Sequence, residues 1–397
     1  MNDIEDTTVD INSLTFEQLN KVRAYLKKMV DVGGSDLHIK ANSTVRARIN
    51  GKIIPFSGGF FSKEDAITFA KELLRGDFAK FVKNKEIDTT YVYDEKIRFR
   101  VNVFFQMEGV SAVFRVIPMK IPTIEELNFP DVVKKFVGIE RGLVLVTGVT
   151  GSGKSTTLAS IINEINISQA KHIITIEDPI EFVHKDKKCI INQRSVGHDT
   201  LSFSNALKGA LREDPDIILV GEMRDIETMK LALHAADTGH LVFSTLHTVD
   251  AKETINRIIS QFPSEEQNSV RLSLANILEG VISQRLVPTT DGKRRAAMEV
   301  LVRTPLIEKL IMENKDYEIK DAIEKGKGVY HSQSFDQHLF DLYQDGIIDE
   351  QTALSFATSA SDMKLRMSGI GAGSATEVEP STQQEISLDD KDVFDLK

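Results

Sequence analysis

The stretch "GLVLVTGVTGSGKSTTLA", residues 142–159, decides the fold. An unbroken apolar run, 143–146, leads into Gly148-Val-Thr-Gly-Ser-Gly-Lys154-Ser155-Thr156, and a helix-forming segment follows. Strand, glycine-rich loop and helix in that order are what a phosphate-binding loop requires. In such a loop Gly148, Thr150, Gly151, Ser152 and Gly153 bring backbone N–H groups around phosphate oxygens. Lys154 reaches the β and γ phosphates, and Ser155 offers its hydroxyl to Mg²⁺, with Thr156 and Thr157 in the first helical turn. The expected ligands are ATP and Mg²⁺.

Outward from this loop, short apolar runs alternate with helix-length segments at 143–146, 173–176, 217–220 and 241–243. That rhythm predicts βαβ units and a mainly parallel sheet, with ligands at the carboxyl ends of the strands. Each run ends in polar groups: Glu177-Asp178, Gly221-Glu222, and Ser244-Thr245-Leu246-His247. A carboxylate after an apolar strand commonly partners a phosphate loop, so Glu177 and Glu222 are candidates for two roles. One would sit near the metal and the other would polarise the attacking water. Which does which is left open by the residues alone, although Glu222 is the expected metal partner beside Ser155. On position alone His240 and His247 read as structural groups, since a lone histidine near a strand end is more often a satisfied structural residue than a catalytic one. The reading is helical over 264–286 and 305–366.

Before the loop lies a different pattern. Thr15 and Gln18 have capping-box spacing ahead of a helix over 16–30. "SDLHIK" and "TVRARINGKIIPF" alternate polar with apolar, and Asn50-Gly51 predicts a hairpin. A helix near 63–75 and strands near 90–94, 97–104 and 110–117 complete a small α+β unit. Pro118, Pro122 and Pro130 suggest a linker. The expected division is 1–117, a linker over 118–130, a nucleotide-binding domain with a helical C-terminal region over 131–368, and an acidic tail over 369–397.

Bulk properties bound the function. The 397 residues suffice for two domains, and 41% hydrophobic with 27% charged residues is an ordinary globular balance. No apolar run approaches the roughly 18 residues of a membrane-spanning helix. The acidic start "MNDIEDTTVD" is unlike a secretory signal, which makes a cytoplasmic location the expectation. Cys189 is the only cysteine, so one chain forms neither an internal disulfide nor a multi-cysteine zinc site. Of the net charge of −10, half lies in 377–397, where seven acids face two bases. No basic block marks a nucleic-acid groove.

Four stretches, "GLVLVTGVTGSGKSTTLA", "ITIEDPIEFVH", "LREDPDIILVGEMRD" and "TGHLVFSTLHT", stand in the order of the four motifs of the secretion ATPase superfamily. "GGSDLHIKA", "IRFRVN", "AVFRVIP" and "VISQRLVP" resemble its type IV pilus retraction branch, the PilT and PilU type. The resemblance covers roughly 14–367. It implies a PAS-like N-terminal α+β domain, a RecA-like α/β ATPase domain and a ring of six subunits. It also implies a motor that drives pilus retraction and twitching motility by acting on an inner-membrane platform protein, peripheral to that membrane.

Carried over position by position, the resemblance makes Glu177 the general base and Glu222 the acid at the second strand end. His240 and His247 resemble a γ-phosphate sensor, and Arg100 and Arg115 match arginines that reach a neighbouring subunit's nucleotide. Pilus assembly ATPases generally carry a four-cysteine zinc site that one cysteine cannot form, which favours retraction over assembly or type II secretion. Where the principal motor usually carries an Ala-Ile-Arg-Asn-Leu-Ile stretch, residues 306–311 are Leu-Ile-Glu-Lys-Leu-Ile. With "SFDQHLFDLYQDG" and "SASDMKLRM" this is nearer the accessory, PilU-like paralogue, which would pair with a related retraction ATPase. Readings from other classes are a nucleic-acid motor, which would need a basic pore, and an adaptor that binds ATP without hydrolysing it.

Overall fold

The computed structural model describes residues 9, 13–94, 97–117 and 120–369; the tail expected beyond Gly369 lies outside them. The first unit contains α1 (Glu17–Asp31), β1 (Gly34–Lys40), β2 (Ser43–Ile49), β3 (Lys52–Phe61), α2 (Lys63–Leu74), α3 (Phe78–Asn84), β4 (Glu86–Val92), β5 (Arg98–Gln106) and β6 (Gly109–Ile117). Its strands form one antiparallel sheet in the order β3-β2-β1-β6-β5-β4. Asn50 and Gly51 both have positive φ, 49° and 79°, the backbone that a two-residue type I′ hairpin turn needs. Alternation gives the sheet two unlike faces. Leu37, Ile39, Phe99, Val101 and Phe114 pack against Val22, Leu26 and Met29 of α1 and Phe69 of α2. Asp36, Arg100 and Arg115 share the other face, since Asp36 pairs with Arg115 and Arg115 with Arg100 across adjacent strands.

The expected Thr15–Gln18 capping box does not form. Phe16 is left-handed at the helix start, without a side-chain cap. Fully buried Glu72 of α2 instead accepts a hydrogen bond from the Leu19 amide at 2.7 Å. A carboxylate at a helix N-terminus satisfies an otherwise orphaned amide and complements the helix dipole. Here a tertiary contact replaces the local one.

The second unit holds β7 (Gly142–Thr147), α4 (Lys154–Ser168), β8 (His172–Glu177), β9 (Ile190–Ser195), α5 (Phe203–Ala210), β10 (Ile217–Val220), α6 (Ile226–Asp237), β11 (Leu241–Leu246), α7 (Ala251–Ser260), α8 (Ser264–Ile277), β12 (Leu278–Pro288) and β13 (Arg294–Val302). Its sheet order is β13-β12-β7-β11-β10-β8-β9. All neighbours are parallel except β13, which returns antiparallel to β12. The central strands are apolar on both faces because both are covered. Val144, Phe243 and Leu219 face α4, while Leu145, Val242 and Ile218 face α5 to α8. The segment 120–130 packs with this unit, where Ile124 is buried and the Pro122 carbonyl accepts a hydrogen bond from Ser160 Oγ at 2.6 Å.

Helices α9 (Pro305–Met312), α10 (Ile319–Lys325), α11 (Lys327–Tyr330), α12 (Phe335–Gln344), α13 (Glu350–Phe356) and α14 (Ala360–Met367) follow. The helical reading of 305–366 holds, but that of 264–286 stops at Ile277. From Leu278 the chain is β12, since Val281 and Ile282 are β-branched and lie between two strands that need a partner. Gly280 permits this approach, because a Cβ there would stand 2.2 Å from the Phe136 ring. Strand β9 was not apparent in the sequence because its apolar run stops after Ile190 and Ile191 and the rest of "IINQRS" is polar.

Candidate active site

At the carboxyl end of β7 the chain turns through three glycines with positive φ: Gly148 (144°), Gly151 (78°) and Gly153 (93°). Such angles strain any residue bearing a Cβ. Space excludes one as well, since a Cβ at Gly148 would lie 2.4 Å from the Gln284 carbonyl oxygen. The loop delivers Lys154 to the first turn of α4, whose free amides and positive dipole end suit an anion. A cleft of about 630 Å³ opens there, a volume within the range that holds a small ligand.

Three parallel strands bring their ends to this cleft. Glu177 closes β8, Glu222 follows β10 and His247 follows β11, and all three line it with Lys154, Ser155 and Thr156. His247 bridges two of the others. Its Nε2 lies 3.2 Å from Glu222 Oε1, and its Nδ1 lies 3.5 Å from Lys154 Nζ. One neutral tautomer satisfies both, with Nε2–H donating to the carboxylate and Nδ1 accepting from the ammonium. Lys154 also donates to the carbonyls of Gly148 at 2.8 Å and Val149 at 3.3 Å. Burial lowers its pKa, opposed by the nearby Glu222 and Glu181.

The two glutamates sit in unlike surroundings. Burial pushes the Glu177 carboxyl above its usual range, against the hydrogen bonds it accepts. Thr175 Oγ1 donates to its Oε1 at 2.7 Å and Gln193 Nε2 at 3.2 Å. Glu222 is partly buried, which opposes ionisation, but Arg224 at 2.8 Å and His247 outweigh this and hold it below the usual range. A pair of carboxyls whose environments push their pKa values apart is suited to divided labour. Glu177 can take a proton, while Glu222 stays anionic.

Other expected residues fall elsewhere. His240 precedes β11, at the opposite end of the strand from His247, where its Nδ1 lies 3.0 Å from the Ala235 carbonyl. The fold therefore does not bring it to this chain's cleft. Arg100 lines this chain's own cleft and lies 3.9 Å from Asp88, although the resemblance pointed it at a neighbour's nucleotide. Arg115 is held by Asp36 at 2.7 Å. The fully buried Thr157 turns its hydroxyl onto Gln284, away from the cleft. Among the described residues no cluster of three or more His, Cys, Asp or Glu is assembled for a metal, so an ion here would depend on Ser155, one carboxylate and ligand oxygens. That sparse donor set suits Mg²⁺, which keeps several waters.

Arg224, Gln193 and Gln284 were not singled out from the sequence. Arg224 stands two residues after Glu222, a spacing that could have been noticed. Gln193 lies on the unrecognised edge strand, and Gln284 on the segment read as helical.

His247 gives a direct test of the bridge. His247→Ala is expected to lower the steady-state rate of phosphate release by about 10²-fold, the usual effect of losing one preorganised donor. His247→Asn, which keeps a donor, should recover part of that loss. Equal rates for wild type and His247→Ala would remove His247 from the site.

Comparison with known proteins agrees with this fold. Residues 83–327 match the family described as Type II/IV secretion system protein. The type IV pilus retraction ATPase PilT of Pseudomonas aeruginosa is 47% identical over 325 residues, 81% of this chain and 93% of that protein. The type IV pilus ATPase PilU of the same organism is 41% identical over 371 residues, 92% of this chain and 95% of that one. The crystal structure of the pilus retraction motor PilT with bound ADP superposes with a TM-score of 0.80 at 42% identity, covering 86% of this chain and 98% of that chain.

Proposed function

The chain belongs to the type II/IV secretion system protein family, and from that membership we propose that it is an ATPase motor that withdraws type IV pili. The observation that carries the reading is the convergence of Lys154, His247, Glu222 and Glu177 on a phosphate loop at one sheet edge. The length and identity shared with two pilus ATPases point to retraction. The single cysteine argues against an assembly ATPase with a four-cysteine zinc site.

In this reading the loop amides and Lys154 hold the ATP phosphates. Ser155 and Glu222 would hold Mg²⁺, directly or through water, and the ion when bound neutralises charge on the phosphate oxygens. Glu177, kept basic by its raised pKa, accepts a proton from the attacking water. His247 touches both Lys154 and Glu222, so it is placed to respond to the third phosphate. Arg100 adds positive charge from the first unit, so that nucleotide state and the placement of the two units are linked. The expected linker over 118–130 separates the two units in sequence, with 120–130 packed against the second of them.

Six copies form the working ring, which acts on an inner-membrane platform protein from the cytoplasmic side. Among the described residues no helix is long and apolar enough to cross a membrane, and peripheral attachment through a partner accords with that. Leu306–Ile311 and the longer match with PilU favour the accessory role beside a paralogous motor. The higher identity with PilT favours the principal one.

Purified full-length chain is expected to elute with MgATP at the mass of six copies and to release phosphate without stimulation by DNA or RNA. A rate that rises with added nucleic acid would support a nucleic-acid motor instead. Stoichiometric ATP binding with no turnover would support an adaptor.

A further inference from the structure

One side chain outside the cleft is built into the phosphate loop from behind. Gln284 on β12 is 1% exposed. Its Nε2 donates to the Ser152 carbonyl at 2.6 Å, and its Oε1 accepts from Thr157 Oγ1 at 2.8 Å. These attachments straddle Gly153, the joint between loop and α4. A Cβ at Gly153 would stand 3.0 Å from Gln284 Nε2, and one at Gly148 2.4 Å from the Gln284 carbonyl. Gln284 therefore fits against two of the glycines that shape the loop.

The register explains why this residue stands there. Ser283 pairs with Thr147, the last residue of β7, and Thr147 Oγ1 donates to Ser283 Oγ at 2.9 Å. One residue further, β7 has ended and β12 has no strand to pair with on that side. The Gln284 carboxamide takes over the pairing by engaging the Ser152 carbonyl. Both ends of a fully buried amide are thereby satisfied, as burial demands.

We infer that Gln284 is a positioning residue for nucleotide binding: it clamps the joint of loop and helix so that the loop amides and Lys154 converge on the phosphates. It acts through Ser152 and Thr157. This rests on the ATP-binding reading of the cleft. Loss of the clamp leaves the loop to be ordered by the ligand itself, so ground state and transition state are weakened alike. Such a change raises KM and leaves kcat nearly intact.

The test uses the full chain and MgATP. Gln284→Met, close in shape but without the hydrogen bonds, is expected to raise KM about tenfold with kcat within about threefold of wild type. Thr157→Val, which breaks the clamp from the other side, should give the same split. Thr157→Ser, which keeps the hydroxyl, should stay close to wild type. If Gln284→Met does not fold, the comparison of Thr157→Val with Thr157→Ser decides. Unchanged KM in Gln284→Met or Thr157→Val, even with a lowered Tm, would show packing alone and overturn the inference. A wild-type chain that neither binds nor hydrolyses ATP would overturn the nucleotide reading itself, a result distinct from the first.

Discussion

Glu177→Gln is expected to lower kcat for ATP hydrolysis by about 10³-fold, the middle of the range for loss of a positioned base, while MgATP affinity stays within about threefold of wild type. Gln keeps the shape of Glu and still accepts from Thr175 Oγ1, but it cannot take the proton of the attacking water. Glu222→Gln should behave differently. It removes an anion held by Arg224 and His247 and expected near the metal, so the larger change falls on MgATP affinity. Isothermal titration with MgATP beside single-turnover hydrolysis separates the two. A Glu222→Gln enzyme with intact affinity and no turnover would reverse the assignment.

The pH profile carries the same prediction with a defined sign. Burial raises the Glu177 pKa, so the carboxyl is protonated, and useless as a base, at pH values where an ordinary glutamate has already ionised. The wild-type kcat should fall on the acid side, with a midpoint above the usual glutamate range. Glu222 is shifted the other way and stays ionised across that limb. Glu177→Gln should therefore lose the limb along with the rate, whereas residual activity in Glu222→Gln should keep it.

Lys154→Ala is expected to be the most damaging single change, lowering kcat/KM by at least about 10³-fold. A charge-assisted hydrogen bond contributes about 1.5–3 kcal/mol to ground-state binding, and a cation facing charge that grows in the transition state contributes more. The substitution also strips Nζ from beside His247 Nδ1 and leaves two loop carbonyls, those of Gly148 and Val149, without a donor they now have. Binding of a fluorescent ATP analogue together with phosphate release checks this. Turnover within tenfold of wild type would exclude Lys154 from phosphate contact.

Much of the candidate site's edge was legible because one physical rule governs it. Parallel strands covered on both faces must be apolar, so the polar residue that ends each run marks the ligand edge, and Glu177, Glu222 and His247 were placed by that rule. His240 was less accessible to it. It lies in the same motif as His247 but on the other side of the strand, and six residues of β11 carry it to the far sheet edge. Family resemblance groups the two histidines, and the geometry separates them.

What stayed hidden depends on partners distant in the chain. Glu72 caps α1 from 53 residues beyond Leu19, and local spacing suggested Thr15 instead. Gln284 reaches Ser152 across 132 residues. Its segment is apolar enough to extend the preceding helix on paper, until β7 and β13 claim it as a strand. Gln193 supports Glu177 from an edge strand with only two apolar residues. Each of these acts by completing hydrogen bonds for another residue, and such roles have no periodicity to reveal them.

The measurement that tests the central claim most directly is fluorescence imaging of labelled surface pili in the native host, with Lys154→Ala in the chromosome. A retraction motor predicts cells that extend fibres and fail to withdraw them, or, for the accessory role, cells whose fibres withdraw but stall under load. Bald cells would mean that the chain drives assembly, and would contradict the account.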